Sequence, residues 1–546
     1  MVETVTGSNR SAGLSLKELL PFDSRPVPEH FRVESPLPPG PTKVPVDYYF
    51  SADFYREEIE RMWLRVWQVA CHEDDIPDVG DYFPYNIADR SFLIVRSGPN
   101  EFKAFKNACL HRGRLIKERP GKRTHELRCP FHAWAWHLDG KLKEIPCQWD
   151  FPHVDPESSD LPEVNVGRWG RFIFINPDSN SESLEDFLGD LPAHFENFLV
   201  EDRYKVAQVE KLIRCNWKVA QDAFAESWHV FSTHPQMVSA FGDPNGQFDA
   251  WGNFSRQYNP GATPSPHLED VKDWGDLEPS PSGRARERHP FSGAIYDLRE
   301  DGNVDVAMPN GKKGVFTRQA KWVEGELGHA DLHLCQWVAG PQCKPEVIMP
   351  PIGEATRRPM EKTLPAGQSR AQLIEMVGAM RKEIAHQRRE AARPMHGDHV
   401  DKLSDTELGG NTYYNVFPNL MPSPSLDQSI WFRFRPVGMN PEECIMDVII
   451  TGPIPREGEK PKTPPIRVLD PDESWTEAPE TGFLARVLDQ DTGNMPWIQK
   501  GVRNIEGGHV QLADYNETKL RHGYMKLEEY LSRPFETKQK RGKRNA

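Results

Sequence analysis

The sequence predicts an α+β protein in which a small antiparallel β domain precedes a larger domain of sheet and helices. Three features carry that prediction. Between Gln68 and about Asn176, short apolar-alternating segments are broken by turn residues. Strand-like alternation returns at Tyr204–Ala220 and again between Asn411 and Pro453. Segments at helical period lie between and after these runs. No internal repeat is present. A chain of 546 residues suggests two to four domain-sized units with a sizeable buried core.

The elements follow in order. Residues 1–50 are polar and then Pro-rich, an expected extended arm along the surface or a neighbouring subunit. Ser51 caps a helix whose apolar positions Phe54, Ile59, Met62, Trp63 and Val66 keep the helical period. The β domain, with this helix spanning 51–180, uses YFPYNI, RSFLIVR, EFKAFKN and GRWGRFIFIN as strands and a turn at Asp139-Gly140. A helix at about Leu184–Leu199 leads into the larger domain, 181–546. Its strand from Tyr204 becomes helical through QDAFAESWHVFSTH, and Pro235 ends that helix because it disfavours the α conformation at His234. About 255–410 is expected as a long insertion, with few periodic elements from about Gly242 to Pro365. A helix follows at Gln368–Arg393. Strands at NTYYNVFPNLM, QSIWFRFRPV and CIMDVIITGP precede closing helices near Gly482–Arg503 and Asn516–Leu531, and the basic tail KQKRGKRNA is expected to be solvated and mobile.

Composition excludes several functions. Lys plus Arg number 67 against 81 Asp plus Glu, a formal charge of −14, which argues against sequence-independent nucleic-acid binding. No apolar run reaches the roughly 20 residues a membrane-spanning helix needs. The N-terminus lacks the features of a secretory signal, so a reducing cytoplasmic setting with free thiols is expected. Eight cysteines are too few for a disulfide scaffold.

Cys109-Leu110-His111 and Cys129-Pro130-Phe131-His132 are the first constellation. Two thiolates and two imidazoles suit either tetrahedral zinc or a Rieske [2Fe–2S] cluster. Zinc fingers group like ligands, whereas here each loop supplies one Cys and one His, which is the Rieske order. CPFHAWAWHLDGKL resembles the CPYHGW-type loop of Rieske ferredoxins and oxygenases, with Ala133 where most members carry Gly. Cys71, Cys147, Cys335 and Cys343 lack partners at ligand spacing and are expected to be buried free thiols.

The second constellation lies in NWKVAQDAFAESWHVFSTH. On a continuous helix Asp222, Glu226 and His229 share one face, while His234 lies about 140° from His229 and needs a bend to join it. Two such histidines call for a carboxylate to complete a facial triad that leaves open positions for dioxygen. NWK…E-x-x-H-x4-H resembles the iron motif of Rieske non-heme iron oxygenases, the catalytic α subunits of aromatic-ring-hydroxylating enzymes. Asp491, in Asp-Thr-Gly-Asn-Met, matches the family's downstream carboxylate, with Asp489 as the alternative.

That resemblance covers about 51–254 and 413–503. It implies a helix-grip catalytic domain and mononuclear Fe(II) held by His229, His234 and Asp491. It also implies a head-to-tail trimer, with or without a small β subunit, in which Glu226 bridges one subunit's cluster to the next subunit's iron. Asp222 is either a hydrogen-bond partner of an iron ligand or a satisfier of local backbone, and Phe224 and Trp228 are expected near the pocket. No G-x-G-x-x-G is present, so electrons from NAD(P)H would arrive through a separate reductase, with or without a ferredoxin. The expected reaction is dioxygenation or monooxygenation of a hydrophobic aromatic or polycyclic substrate. A quaternary ammonium or aryl ether substrate, with monooxygenation or demethylation, is the alternative because Glu stands at 226. A non-catalytic Rieske electron carrier would need only the β domain, and a zinc-stabilised scaffold would be colourless.

Overall fold

The computed structural model describes residues 14–237, 246–261, 277–341 and 368–534. Ser51 caps the first long helix by accepting a hydrogen bond from the Phe54 N–H (3.2 Å), a contact worth about 1 kcal/mol. The helix runs over Ala52–Glu58 and widens into a π turn at Ile59–Trp63, where Ile59, Met62 and Trp63 enter the main core. Glu58 is fully buried and its carboxylate meets Lys218 Nζ at 2.6 Å, tying this helix to the segment that precedes Asp222.

The small β domain is a six-stranded sheet in the order Gln68–His72, Phe172–Asn176, Glu163–Trp169, Glu101–Lys106, Arg90–Gly98 and Tyr82–Ile87. A three-stranded sheet of very short strands, Leu127–Arg128, Ala135–Trp136 and Leu142–Glu144, stands beside it. Leu93, Phe105, Leu127, Trp134 and Trp136 form their own core, together with Cys109 and Cys129. The larger domain is built on eight strands: Gln247–Trp251, Phe254–Pro260, Gly410–Val416, Leu420–Ser423, Ser429–Pro436, Cys444–Pro453, Arg203–Ile213 and Leu469-ended Arg467–Leu469. Asp447 on this sheet receives both Arg433 and Arg435, and Arg433 donates onward to the carbonyls of Val69 and Ala70. One buried ion-pair cluster thus joins the two sheets.

Several expectations need correction. The helix expected at Leu184–Leu199 is broken into Leu184–Leu188 and Leu191–His194, because Gly189 adopts φ +53° between them. The strand that starts at Arg203 ends at Ile213, and Trp217–Ala220 are already helical because the Asn216 side chain caps Lys218 N–H (3.0 Å). The run Asn411–Met421 is two strands divided at the cis Phe417-Pro418 bond.

The described arm is not a simple extended tail. It forms short helices at Leu16–Leu19 and Glu29–Arg32, and Ser24 donates to Asp405 through its N–H (2.6 Å) and hydroxyl (2.9 Å). Its strand Lys43–Pro45 pairs antiparallel with His509–Gln511 near the other end of the chain. The expected insertion also opens on a main-sheet strand and holds an antiparallel five-stranded sheet: Arg286–Arg288, Ile295–Leu298, Val304–Ala307, Lys313–Phe316 and Trp322–Gly325. Strands of three or four residues are too short to display a period. Tyr296, Val304, Val306 and Phe316 pack with Leu334, Cys335 and Val338 of the helix Leu332–Ala339. The helices Arg370–His396, Leu484–Gly501 and Thr518–Ser532 lie where the sequence expects them. Residues 1–13 of the arm, Cys343 and the KQKRGKRNA tail lie outside the described residues.

Candidate metal centres

Two loops with the same backbone hydrogen bonds carry Cys109/His111 and Cys129/His132. Cys109 N–H donates to Arg114 O (2.8 Å) and Gly113 N–H to Cys109 O (2.9 Å). In the second loop, Cys129 N–H donates to Trp134 O (2.8 Å) and Ala133 N–H to Cys129 O (3.2 Å). Each turn needs a left-handed residue, supplied by Gly113 at φ +72° and Ala133 at φ +63°. Ala133 therefore keeps the loop conformation at a steric cost of roughly 1–2 kcal/mol, which its glycine twin avoids.

The loops bring the four side chains together. Cys109 and Cys129 are buried, and burial, with Cys129 alongside, pushes the Cys109 thiol up. The His111 and His132 rings lie 4.6 Å apart, and His111 stacks parallel to Trp134. His111 Nδ1 is buried without a hydrogen-bond partner, an orphaned atom of the kind a ligated group would satisfy. Among the other cysteines, Cys71 and Cys335 are buried free thiols as expected, but Cys147 is exposed.

The second site is assembled from distant segments. The helix Trp217–Phe224 ends at Ala225, and a separate short helix spans Val230–Thr233. Asp222, Glu226 and His229 therefore do not share a continuous helix face. Glu226 sits in the break, where its carboxylate accepts from the N–H groups of Trp228 and His229 (3.2 Å for His229). Its other oxygen lies 2.7 Å from His229 Nδ1. His234 ends the short helix immediately before Pro235. There its Nε2 comes within 2.7 Å of Asp491 Oδ1, while His229 Nε2 is 3.7 Å from the same oxygen. One ligand atom from each of the three residues lies within 4.8 Å of the others.

Electrostatics match this convergence. Burial would raise the Asp491 carboxyl, but His234, His229 and His333 hold it below the usual range. Burial opposes protonation of His229, and the Glu226 carboxylate overrides it, raising the imidazole to about 9. The alternative acid Asp489 faces elsewhere, bonded to the Ser474 hydroxyl and to Trp475 N–H (2.9 Å).

Asp222 serves neither role expected of it. It accepts from the hydroxyls of Tyr524 (2.6 Å) and Tyr49 (3.1 Å), and burial raises its carboxyl to about 7 despite them. Phe224 packs on Phe432 and Phe434 of the sheet, and Trp228 is exposed, so neither lines the hollow beside the three residues. That hollow, of about 620 Å³, is lined by His229, Asp491, Glu226, His333, Tyr49 and Trp497 among others.

Sequence reasoning missed three supporting groups, Gln490, Lys519 and His333, and gave Asn494 only as part of the motif around Asp491. Gln490 Oε1 lies 2.9 Å from His234 Nδ1, and Asn494 Nδ2 reaches Thr233 Oγ1 at 3.2 Å. Their signal was their place beside Asp491 on one helix. Lys519, fully buried, donates to Phe224 O (3.4 Å), and burial lowers its amine to about 7 against the pull of Glu226. His333 gave no signal, since it stands in the unfamiliar insertion.

Known proteins match along most of this architecture. Residues 66–155 match the model of the Rieske [2Fe-2S] domain, and residues 195–296 and 350–533 that of the ring hydroxylating alpha subunit (catalytic domain). The carnitine monooxygenase oxygenase subunit of Escherichia coli is 28% identical over 234 residues, 42% of this chain and 62% of that protein. The anthranilate 1,2-dioxygenase large subunit of Acinetobacter baylyi is 28% identical over 209 residues, 37% of this chain and 44% of that protein. The matches thus span less than two thirds of either relative. The solved structure of a quaternary ammonium Rieske monooxygenase superposes with a TM-score of 0.53 at 14% identity, covering 89% of this chain and 95% of the other, and shares the fold.

Proposed function

This chain belongs to the Rieske-type ring-hydroxylating oxygenase family as an α subunit, and from that premise we propose that it is the oxygenase component of a multi-protein hydroxylating system. The convergence of His229, His234 and Asp491 on a hollow of about 620 Å³ carries the proposal. Two imidazoles and one carboxylate suit ferrous iron and leave coordination positions open on one side. Cys109, Cys129, His111 and His132 would hold the [2Fe–2S] cluster. When bound, the two centres supply single electrons and the activation of dioxygen.

The chain's own residues prepare the site. Glu226 fixes the His229 ring through Nδ1, so that Nε2 faces His234 and Asp491. The same carboxylate is the proposed bridge to a neighbouring subunit's cluster in a head-to-tail trimer of the C3 kind. Electrons would come from NAD(P)H through a separate reductase and a ferredoxin where one is used, in a cytoplasmic setting. No helix among the described residues is long and apolar enough to cross a membrane.

The primary reading of the substrate is a hydrophobic aromatic or polycyclic compound, hydroxylated with one or both atoms of O2. A second reading is a quaternary ammonium or aryl ether substrate, its quaternary ammonium arm supported by the Glu226 carboxylate and the Tyr49 and Trp497 rings that line the hollow. Carboxylates and aromatic faces both hold cations.

Oxygen uptake with a compatible reductase, across arenes, phenolic ethers, steroids and quaternary amines, tests the proposal. Substrate-dependent uptake coupled to hydroxylated product is expected from protein holding about three irons per chain. About two irons and no uptake would reduce the chain to an electron carrier.

A further inference from the structure

Residues 297–349 fall between the two stretches matched by the ring-hydroxylating model. Their helix Leu332–Ala339 docks on the helix Leu484–Gly501, which carries Asp491. The Arg486 guanidinium stacks 3.8 Å from the Trp337 ring centroid and donates to the Trp337 carbonyl. About one turn along, buried Gln490 spans the junction. Its Nε2 donates to the His333 carbonyl (3.1 Å), while its Oε1 lies 2.9 Å from His234 Nδ1 and accepts from Gln236 Nε2 (2.8 Å).

This amide has one workable orientation. A backbone carbonyl can only accept, so the NH2 group must face His333. The amide oxygen then faces His234 and can only accept, so His234 must donate from Nδ1. Nε2 itself hydrogen-bonds Asp491 Oδ1 (2.7 Å), so with Nδ1 held as a donor, Nε2 is the nitrogen whose proton a metal would replace. The inserted helix thereby decides which nitrogen of His234 is available to a metal. A carboxylate at 490 could orient His234 but could not donate to the inserted helix.

We propose that Gln490 is a positioning residue through which the inserted subdomain sets the tautomer of His234, so that docking of helix 332–339 and metal binding are coupled. This rests on His229, His234 and Asp491 forming the mononuclear metal site. Coupling is reciprocal: what the docked helix does for metal binding, bound metal must do for docking. The hollow beside the metal residues is also lined by His333, so movement of this helix would reach the site directly.

The test uses the full chain with its cluster, and Fe(II) alone as the probe under anaerobic conditions. Gln490→Leu should weaken Fe(II) binding on the order of 10–100-fold with an unchanged Rieske spectrum. Gln490→Glu, which keeps an acceptor towards His234, should bind Fe(II) within a few-fold of the parent protein. Amide hydrogen exchange supplies the second readout. Fe(II) should slow exchange across residues 332–339 in the parent, and this response should vanish in both variants. The proposal falls if Gln490→Leu binds Fe(II) as the parent does, or if Fe(II) leaves exchange across 332–339 unchanged in the parent. A parent chain that takes up no iron beyond its cluster would overturn the metal-site reading itself, and the proposal with it.

Discussion

The cluster loops and the mononuclear site are built on opposite plans. The four residues of the first lie between Cys109 and His132, on two loops with matching hydrogen bonds and one shared core. The second draws two histidines from an interrupted helix and its carboxylate from a helix some 260 residues later, and its orienting contacts reach into an insertion. A locally built site is a folding unit in its own right, whereas a site built across the chain depends on how distant elements dock. Damage to the first should therefore cost the small domain its core, whereas loss of a ligand at the second should leave the small domain and its cluster intact.

The largest contrast is expected between ligand substitutions at the two sites. Cys109→Ser or His132→Ala should abolish the Rieske spectrum and most soluble yield, because the loops share the small domain's core. A retained Rieske spectrum would exclude that residue as a ligand. His229→Ala, His234→Ala and Asp491→Ala should each lose the non-cluster iron and product formation while the protein stays red-brown. Asp489→Ala should keep its iron, since Asp489 bonds Ser474 and Trp475; iron analysis decides between the two acids.

Glu226→Gln probes the connection between the sites. Both centres should survive and the cluster should still accept electrons, but single-turnover experiments should find it staying reduced in the presence of substrate and O2. Normal reoxidation coupled to product would leave Glu226 as no more than a cap and a partner of His229. A smaller effect concerns pH. With His229 raised to about 9 in the metal-free chain, metal must displace a proton below that value. Fe(II) or Co(II) affinity should therefore rise with pH and level off above about 9, as metal titrations would record. A flat profile would mean that Glu226 does not hold the proton on His229. The smallest effect should come from Ala133→Gly, which relieves the left-handed strain at φ +63° and makes the twin loops alike. A gain of about 1 kcal/mol is expected in chemical denaturation.

The same division explains what could be read from the sequence. Cys109, His111, Cys129 and His132 announce themselves because ligand spacing within tight loops is a local property. His229, His234 and Asp491 were legible through resemblance, although the helix break at Ala225 was not. In that break the Glu226 carboxylate accepts from the Trp228 and His229 N–H groups ahead of the next helix, a side-chain contact that periodicity does not encode. Asp222 was misread for a related reason: its partners Tyr49 and Tyr524 come from remote segments. The long helices and strands of the larger domain were legible because they carry many periods, and the insertion's three- and four-residue strands were not.

The pairing of Lys43–Pro45 with His509–Gln511 has a consequence for synthesis on the ribosome. The early strand emerges roughly 460 residues before its partner, and at about 5–20 residues per second that interval is on the order of a minute. During that time Val44, fully packed in the finished protein, has no partner strand to cover it. The small β domain can close while translation continues, since all its strands lie between Gln68 and Asn176. The nascent chain would thus carry a closed small β domain well before Lys43–Pro45 finds its partner strand.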